Sequence, residues 1–353
     1  MRAAVRSLLL LLLLAILGPI HIVTKLLFGR SGWPRRFLAA AAWIVGARAT
    51  VSGVPLDSRA LLISNHVSWL DILILGGSVG TAFVSKDNLG HGAIHWLADQ
   101  NHTLYVRRED RKGSKDQALA IARAAERDQP ITLFPEGTTG PGDQLLPFRS
   151  SLLEAAFHAP DDVAIRPVAL DYGGAASEVG WHGESGKDNV LRILGRKGRL
   201  PMTVHLLPAL DRTSDRKALA QAARQAIAIA RAAERAQPIT LFPEGTTGPG
   251  DEMLPFRSSL LEAASYASER VAVRPLAIDY GSAGTEVGWH GESGKENVLR
   301  ILGRKGTLPV KVHLLPPLDR TSDRKALAQK ARDAIAETLA SSRGSAPLYS
   351  DHR

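Results

Sequence analysis

The hydrophobic pattern splits the chain into an apolar front and an alternating remainder. Residues Leu8–Leu17 read LLLLLLLAIL, ten apolar side chains in a row, and the run weakens through Gly18 and Pro19 to Val23. That is short for a spanning helix, which needs about 20 apolar residues. A second apolar stretch, Phe37–Val45 (FLAAAAWIV), follows a linker carrying Lys25, Arg30, Arg35 and Arg36. Positive charge on both sides of the first run suits neither spanning orientation. No small-x-small cleavage site follows it, as a signal peptide requires. Two short arms joined by a basic turn, with Trp33 and Trp43 at interfacial depth, predict a helical hairpin dipping into one leaflet over residues 1–47.

Beyond residue 48 the apolar runs shorten and are bounded by turn residues. ALLISNHVSW, GTAFVSK, PITLF (Pro130–Phe134), VAIRPVALDY (Val163–Tyr172) and MTVHLLPAL each open as a buried strand. SSLLEAAFHA, from Ser150, reads as a helix between two of them. Strands alternating with helices predict an α/β protein with a mixed, largely parallel sheet flanked by helices.

The second half of this pattern occurs twice. Residues 116–223 align without gaps on 224–331 at a constant shift of 108, with 22 differences in 108 positions. FPEGTT therefore stands at Phe134–Thr139 and again at Phe242–Thr247. Removing one copy from the 353 residues leaves 245, the size of one ordinary α/β domain with an anchor. The division expected is an anchoring segment 1–47, a catalytic domain 48–223, a duplicated half-domain 224–331 and a terminal tail 332–353. At the seam, Ser214–Pro238 contains no internal Gly or Pro and is rich in Ala and Arg. It predicts one continuous helix of about 23 residues with Ser214 as its cap.

Composition narrows the chemistry. There is no cysteine, which excludes disulfides, thiolate nucleophiles and Cys-based zinc sites. A formal charge of +9 favours an anionic partner such as membrane lipid, a phosphorylated substrate or an acidic carrier protein. No basic run is interleaved with aromatics, so a nucleic-acid partner is not expected. The eleven histidines show no metal-ligand spacing. HGESGKDN (His182–Asn189) imitates a phosphate loop, but its glycine spacing is wrong and Asp188 stands where Ser or Thr would hold magnesium.

The most informative stretch is ISNHVSWLD, Ile63–Asp71. A strand runs into His66, and Asp71 follows five residues later. If a helix starts in between, the carboxylate can turn back to one ring nitrogen and support proton uptake at the other. The pair then lacks a protein nucleophile, and a substrate hydroxyl takes that role. A buried histidine capping a helix fits the same residues.

Three further segments bear on the choice. TLYVRRED sets Arg107 and Arg108 at a strand end, followed by LFPEGTTG and IRPVALDY. In this order and spacing the four segments resemble the glycerolipid acyltransferase family, which includes the 1-acylglycerol-3-phosphate acyltransferases. NHVSWLD resembles the family's His-x4-Asp block, LYVRR its arginine block aligned on Arg108, FPEGTT its Pro-Glu-Gly-Thr block, and Pro167 its apolar-Pro block.

The resemblance covers about residues 35–223 and implies the glycerolipid acyltransferase fold and an acyltransferase activity. His66 would deprotonate the free hydroxyl of 1-acylglycerol-3-phosphate, with acyl-carrier protein or acyl-CoA as donor, giving phosphatidic acid. Asp71 would hold His66, and Arg108 would bind the phosphate. Glu136, Gly137, Thr138 and Pro167 would shape the substrate pocket, Glu136 by pairing with Arg108 or with a substrate hydroxyl. No cofactor or metal is implied beyond the acyl donor. The expected location is the cytoplasmic face of a bacterial inner membrane.

Another acceptor, such as a lyso-ornithine lipid, remains open, as does an inactive membrane-binding protein left by the duplication. His66, Asp71 and Arg108 occur once, so at most one site is complete. Glu136 is preferred over Glu244 as its partner, because the nearer loop closes at lower entropic cost.

Overall fold

In the computed structural model, the described residues are all except 57–58, 87–91, 107–113, 235–237, 239, 251, 262–270, 320, 322 and 345–353. The apolar front forms α1 (Arg2–Phe28) and α2 (Trp33–Val45), which pack as the expected hairpin. The first arm is longer than the sequence suggested. It runs unbroken through Pro19 for 27 residues, about 40 Å at 1.5 Å per residue, and is long and apolar enough to cross a membrane. Helix-compatible residues flank the leucine run, and Pro19 forfeits only one backbone donor.

Nevertheless α1 lies along the protein body with both ends tied to it. Arg6 Nη1 donates to Ile193 O and Leu194 O at 3.3 and 3.1 Å, at the carboxyl end of the helix Gly186–Gly195. There a cation meets the helix's partial negative charge. Near the other end, the His21 ring pairs with Ser31 Oγ at 2.9 Å and Gln100 Oε1 at 3.0 Å, and Lys25 reaches the same Gln100 oxygen at 3.1 Å. The opposite face leaves Leu8, Leu11, Leu12, Ile16 and Ile20 exposed.

Seven strands follow: β1 (Ala47–Gly53), β2 (Ala60–Ser64), β3 (Ala82–Lys86), β4 (Leu104–Val106), β5 (Ile131–Leu133), β6 (Ala164–Asp171) and β7 (Leu200–Leu206). They form one sheet in the order β1-β7-β6-β2-β5-β3-β4, parallel throughout except between β6 and β7. This is the mixed, largely parallel sheet expected. Edge strand β1 (ARATVSG) escaped the sequence reading because it lacks a continuous apolar run.

The helices between strands are α3 (Leu70–Ile74), which continues into a wider π-type turn over Leu75–Val79, α4 (Ala93–Gln100), α5 (Ser114–Ala125) and α6 (Gly186–Gly195). The helix expected from Ser150 is instead a 3-10 turn, Ser150–Leu153, followed by one α-turn, Ala155–His158. The would-be phosphate loop is a helix start: Ser185 Oγ caps α6 by accepting from Asp188 N at 3.2 Å. At Gly77 a Cβ would lie 2.6 Å from Ala39 Cα, so this glycine lets α2 rest directly on the π-turn.

The seam is one unbroken helix, α7 (Arg216–Glu234). Its cap is Asp215, whose Oδ1 accepts from Lys217 N at 2.8 Å, and not Ser214. The whole of α7 belongs to the first of two compact units, Met1–Gln237 and Pro238–Arg353. The first unit therefore extends past the repeat boundary at 223/224.

The second unit contains β8 (Leu276–Asp279) antiparallel to β9 (Lys311–Leu314), with α8 (Gly294–Leu302) and α9 (Arg324–Gly344). Among its described residues the counterpart of β5 forms no strand, since a strand needs neighbours to pair with. Matched positions of the two units differ sharply in burial. Val204, Leu206 and Leu194 are 0, 6 and 4% exposed, whereas Val312, Leu314 and Leu302 are 57, 68 and 76% exposed. In the first unit β1 pairs with β7, β2 with β6, and α1 lies on α6. Residues 1–115 supply all three covering elements and have no second copy in the chain.

Candidate active site

Three neighbouring parallel strands, β5, β2 and β6, end at the same edge of the sheet, and their carboxyl ends deliver the site residues. Ligands of open α/β sheets bind at this edge. β2 runs into Asn65, whose side chain behaves as a further strand residue. Its Nδ2 donates to Leu170 O at 3.1 Å and its Oδ1 accepts from Leu170 N at 2.8 Å. This buried clasp fixes where the chain leaves the sheet, and His66 is the next residue.

His66 Nδ1 lies 2.8 Å from Asp71 Oδ2, as the five-residue spacing predicted. The same oxygen accepts from Val67 N at 2.6 Å and Ser68 N at 3.0 Å. Asp71 stands in the first turn of α3, so its carboxylate also faces the positive end of that helix. Its other oxygen accepts from Tyr172 Oη at 2.5 Å. Burial, together with the charge on Asp71, pushes the Tyr172 phenol well above its ordinary range and keeps it a donor.

Asp71 is thus fully buried and carries four donors. A carboxylate so placed holds the proton on Nδ1 and leaves the lone pair on Nε2. The imidazole stacks on Phe134 at 4.0 Å between ring centroids and remains 18% exposed. Among the described residues no hydroxyl side chain hydrogen-bonds to the ring.

The FPEGTT loop of the first copy wraps the main chain of His66. Glu136 Oε1 accepts from His66 N at 3.3 Å, and Gly140 N donates to His66 O at 2.9 Å. Trp181 N donates to Val67 O at 2.9 Å, and Thr139 Oγ1 to Trp181 O at 2.8 Å. Glu136 is only 3% exposed. Burial raises its pKa to about 7, against the opposing hydrogen bonds from His66 N and Leu146 N; the Asp71 charge raises it further and Arg231 lowers it.

Gly137 adopts φ 76°, a left-handed turn that turns the loop back, and Thr138 beside it is exposed. Pro167 lies buried within β6 opposite Ile63 of β2, a sheet residue set back from the histidine. Arg107 and Arg108 lie outside the described residues. The structure therefore brings His66, Asp71, Glu136 and Gly137 together, with Thr138 at the rim.

The sequence reading missed Asn65 and Tyr172 as parts of the site. Both were quoted in strand-end stretches, and their clue was polarity at the end of an apolar run. In the second unit Glu244 is half-buried, accepts from Leu254 N at 3.3 Å, and its pKa is raised by burial. A second cleft of the first unit, lined by Arg35, Arg59, Asp128 and Asp162, opens at the opposite, amino-terminal ends of the strands.

A buried carboxylate thus aligns a partly exposed histidine at the carboxyl edge of a mostly parallel sheet. Residues 48–171 match the acyltransferase family model. A lyso-ornithine lipid O-acyltransferase of Pseudomonas aeruginosa is 35% identical over 206 residues, covering 56% of this chain and 76% of that protein. The chain belongs to the acyltransferase family, among the glycerolipid acyltransferases, and is an enzyme acylating lysolipids. A 1-acyl-sn-glycerol-3-phosphate acyltransferase of Neisseria gonorrhoeae is 31% identical over 135 residues, covering 38% of this chain and 52% of that protein. A solved structure, the 1-acyl-sn-glycerophosphate acyltransferase PlsC of Thermotoga maritima, aligns with a TM-score of 0.48 at 17% identity, covering 67% of this chain and all of that one.

Proposed function

We propose that the protein transfers a fatty acyl group from a thioester donor, acyl-carrier protein or acyl-CoA, to the free hydroxyl of a lyso-ornithine lipid. His66 Nε2 removes the hydroxyl proton, and the oxygen attacks the thioester carbonyl. Collapse of the tetrahedral intermediate forms the C–O ester bond and breaks the C–S bond. The imidazolium returns its proton to the departing thiolate, so no net charge is left on the enzyme. Asp71 orients the ring and stabilises the imidazolium, Tyr172 orients Asp71, and Glu136 positions the main chain of His66. Gly137 and Thr138 line the acceptor side, with Pro167 stiffening the strand beneath. Arg108 remains the candidate for an anionic headgroup.

The observation that carries this reading is the 2.8 Å His66–Asp71 bond beneath a ring that still reaches solvent. The acceptor is assigned on similarity: the lyso-ornithine enzyme matches at 35% over 76% of its length, the lysophosphatidic acid enzyme at 31% over 52%. Thioester donors are soluble in the cytoplasm, which supports that face of the membrane as the place of reaction. There the exposed leucine face of α1 dips into one leaflet, while its two tethered ends keep the helix from crossing.

The test is acyl transfer by membranes carrying the wild-type protein or His66→Ala, with lyso-ornithine lipid and lysophosphatidic acid as parallel acceptors. Histidine-dependent acylation of lyso-ornithine lipid supports the reading. Acylation of lysophosphatidic acid alone reassigns the acceptor, and equal rates for the two proteins defeat the enzymatic mechanism.

A further inference from the structure

Arg231 belongs to the duplicated segment, yet it is built into the first copy's site. It lies one turn from the end of α7, eight residues beyond the repeat boundary, and corresponds to Arg123 at the 108-residue shift. It is 4% exposed. Its Nη2 donates to Gly142 O, at the end of the turn that begins with Glu136.

That turn is tight. Gly142 has φ 90°, and a Cβ there would lie 2.0 Å from Ala176 O, so its carbonyl has little freedom to seek another donor. The same turn holds His66 from both sides, through Glu136 Oε1 on its N–H and Gly140 N on its carbonyl. A cation fixed at Gly142 is thus two main-chain contacts from the general base.

The terminal helix α9 provides an internal comparison. It docks on the second unit through Arg332, whose Nη2 donates to Met253 O at 3.3 Å. The matching residue of α7, Arg224, donates through Nη2 to Leu145 O at 3.0 Å, the position that corresponds to Met253. The two helices therefore sit in equivalent grooves of their own units. One shift beyond Arg231 stands Leu339. The half-domain closed by its own terminal helix has a leucine at this position, and the half-domain closed by the seam helix has an arginine.

We infer that Arg231 is a positioning residue of the acyl-transfer site, supplied by the duplicated segment, whose guanidinium anchors the Glu136–Gly142 turn and sets the charge behind His66. The inference rests on the acyltransferase reading of His66. Among the described residues, the groups facing Glu136 are the His66 and Leu146 main-chain donors, Asp71 from α3 and the cation Arg231 from α7. It favours the ionised Glu136, the form able to accept from His66 N with full charge.

The experiment compares wild type with Arg231→Leu, which installs the residue of α9, and with Arg231→Lys. The pH dependence of acyl transfer is read for each full-length chain in membranes, and thermal unfolding in detergent is followed across the same pH range. In Arg231→Leu the acid limb of the rate profile and the Glu136-dependent change in stability should both move up by roughly one pH unit. Arg231→Lys should restore most of the position, and adding Glu136→Gln should abolish the stability shift. A lower rate with both profiles unmoved would mean that Arg231 only helps α7 to pack, and would overturn the inference. If the stability profile moves while wild type acylates neither lysolipid, the Arg231–Glu136 coupling stands and the acyl-transfer reading falls. Failure of Arg231→Leu to accumulate leaves the same comparison to Arg231→Gln, which keeps a donor for Gly142 O but no charge.

Discussion

Asn65 and Leu170 exchange two hydrogen bonds, of 3.1 and 2.8 Å, in which a side-chain amide replaces a main-chain partner. The β2–β6 pairing thereby extends one residue past the last regular strand position, up to the residue before His66. Replacing Asn65 by Ala leaves a buried N–H and a buried C=O without partners. The expected loss is about 2–6 kcal/mol, counting about 1–3 kcal/mol per orphaned group. Asn65→Asp should be no better, because a carboxylate accepts from Leu170 N but cannot donate to Leu170 O. Thermal unfolding in detergent reads both, and a change below about 0.5 kcal/mol for the alanine variant would contradict the clasp.

Removing the orienting carboxylate should cost rate more than binding. Asp71→Asn keeps the shape but can present an N–H to Nδ1, favouring the tautomer with its lone pair on the wrong nitrogen. Acyl transfer should fall by roughly 10²–10⁴-fold with KM for the acceptor little changed. Tyr172→Phe should cost far less, since Asp71 keeps three other donors. Steady-state kinetics on the two variants separate these roles.

Glu136 makes stability depend on pH. Its folded pKa of about 7 lies above the ordinary glutamate value near 4.5. Burial thus favours the neutral form: its contribution is fully present below pH 4.5 and is lost as pH rises through 7. The difference is of order 3 kcal/mol at most, at 1.36 kcal/mol per pKa unit. Glu136→Gln should therefore lose stability less steeply than wild type between pH 5 and 8. Glu244→Gln should leave acyl transfer unchanged. If it alone abolishes activity, the second copy is the one that serves His66.

The exposed face of α1 should control membrane attachment. Leu12→Glu with Ile16→Glu places two charges in the part of the helix that faces away from the protein. Flotation with anionic vesicles should show most of the protein left in solution, with the fold of the body retained by circular dichroism. Undiminished flotation would place the lipid contact elsewhere.

The site's main axis was legible because it is local. His66 and Asp71 are five residues apart, and a strand followed by a helix start leaves the carboxylate one direction in which to turn. The loop at Glu136 was recognisable by composition, but its partner was not. That its carboxylate would accept from the His66 main chain depends on β2 and β5 being neighbours, a long-range fact that local pattern does not encode. Tyr172 and Asn65 were hidden for the same reason, their partners lying 101 and 105 residues away. The anchor was underestimated because apolarity was read as the helix limit, whereas helix formation continues through any compatible residues. The seam helix was foreseen as continuous, but its allegiance to the first unit rests on the grooves it fills.

The bare valine and leucine face of the second unit carries a consequence for how the chain is made. Residues 1–115 meet two nearly interchangeable partners, and the first leaves the ribosome 108 residues before the second. At 5–20 residues per second that is a lead of roughly 5–20 s, ample for a domain of this kind to close. The order of synthesis is therefore expected to favour the first copy as partner ahead of any difference in affinity. Refolding from denaturant removes the lead and returns the choice to the 22 positions at which the copies differ.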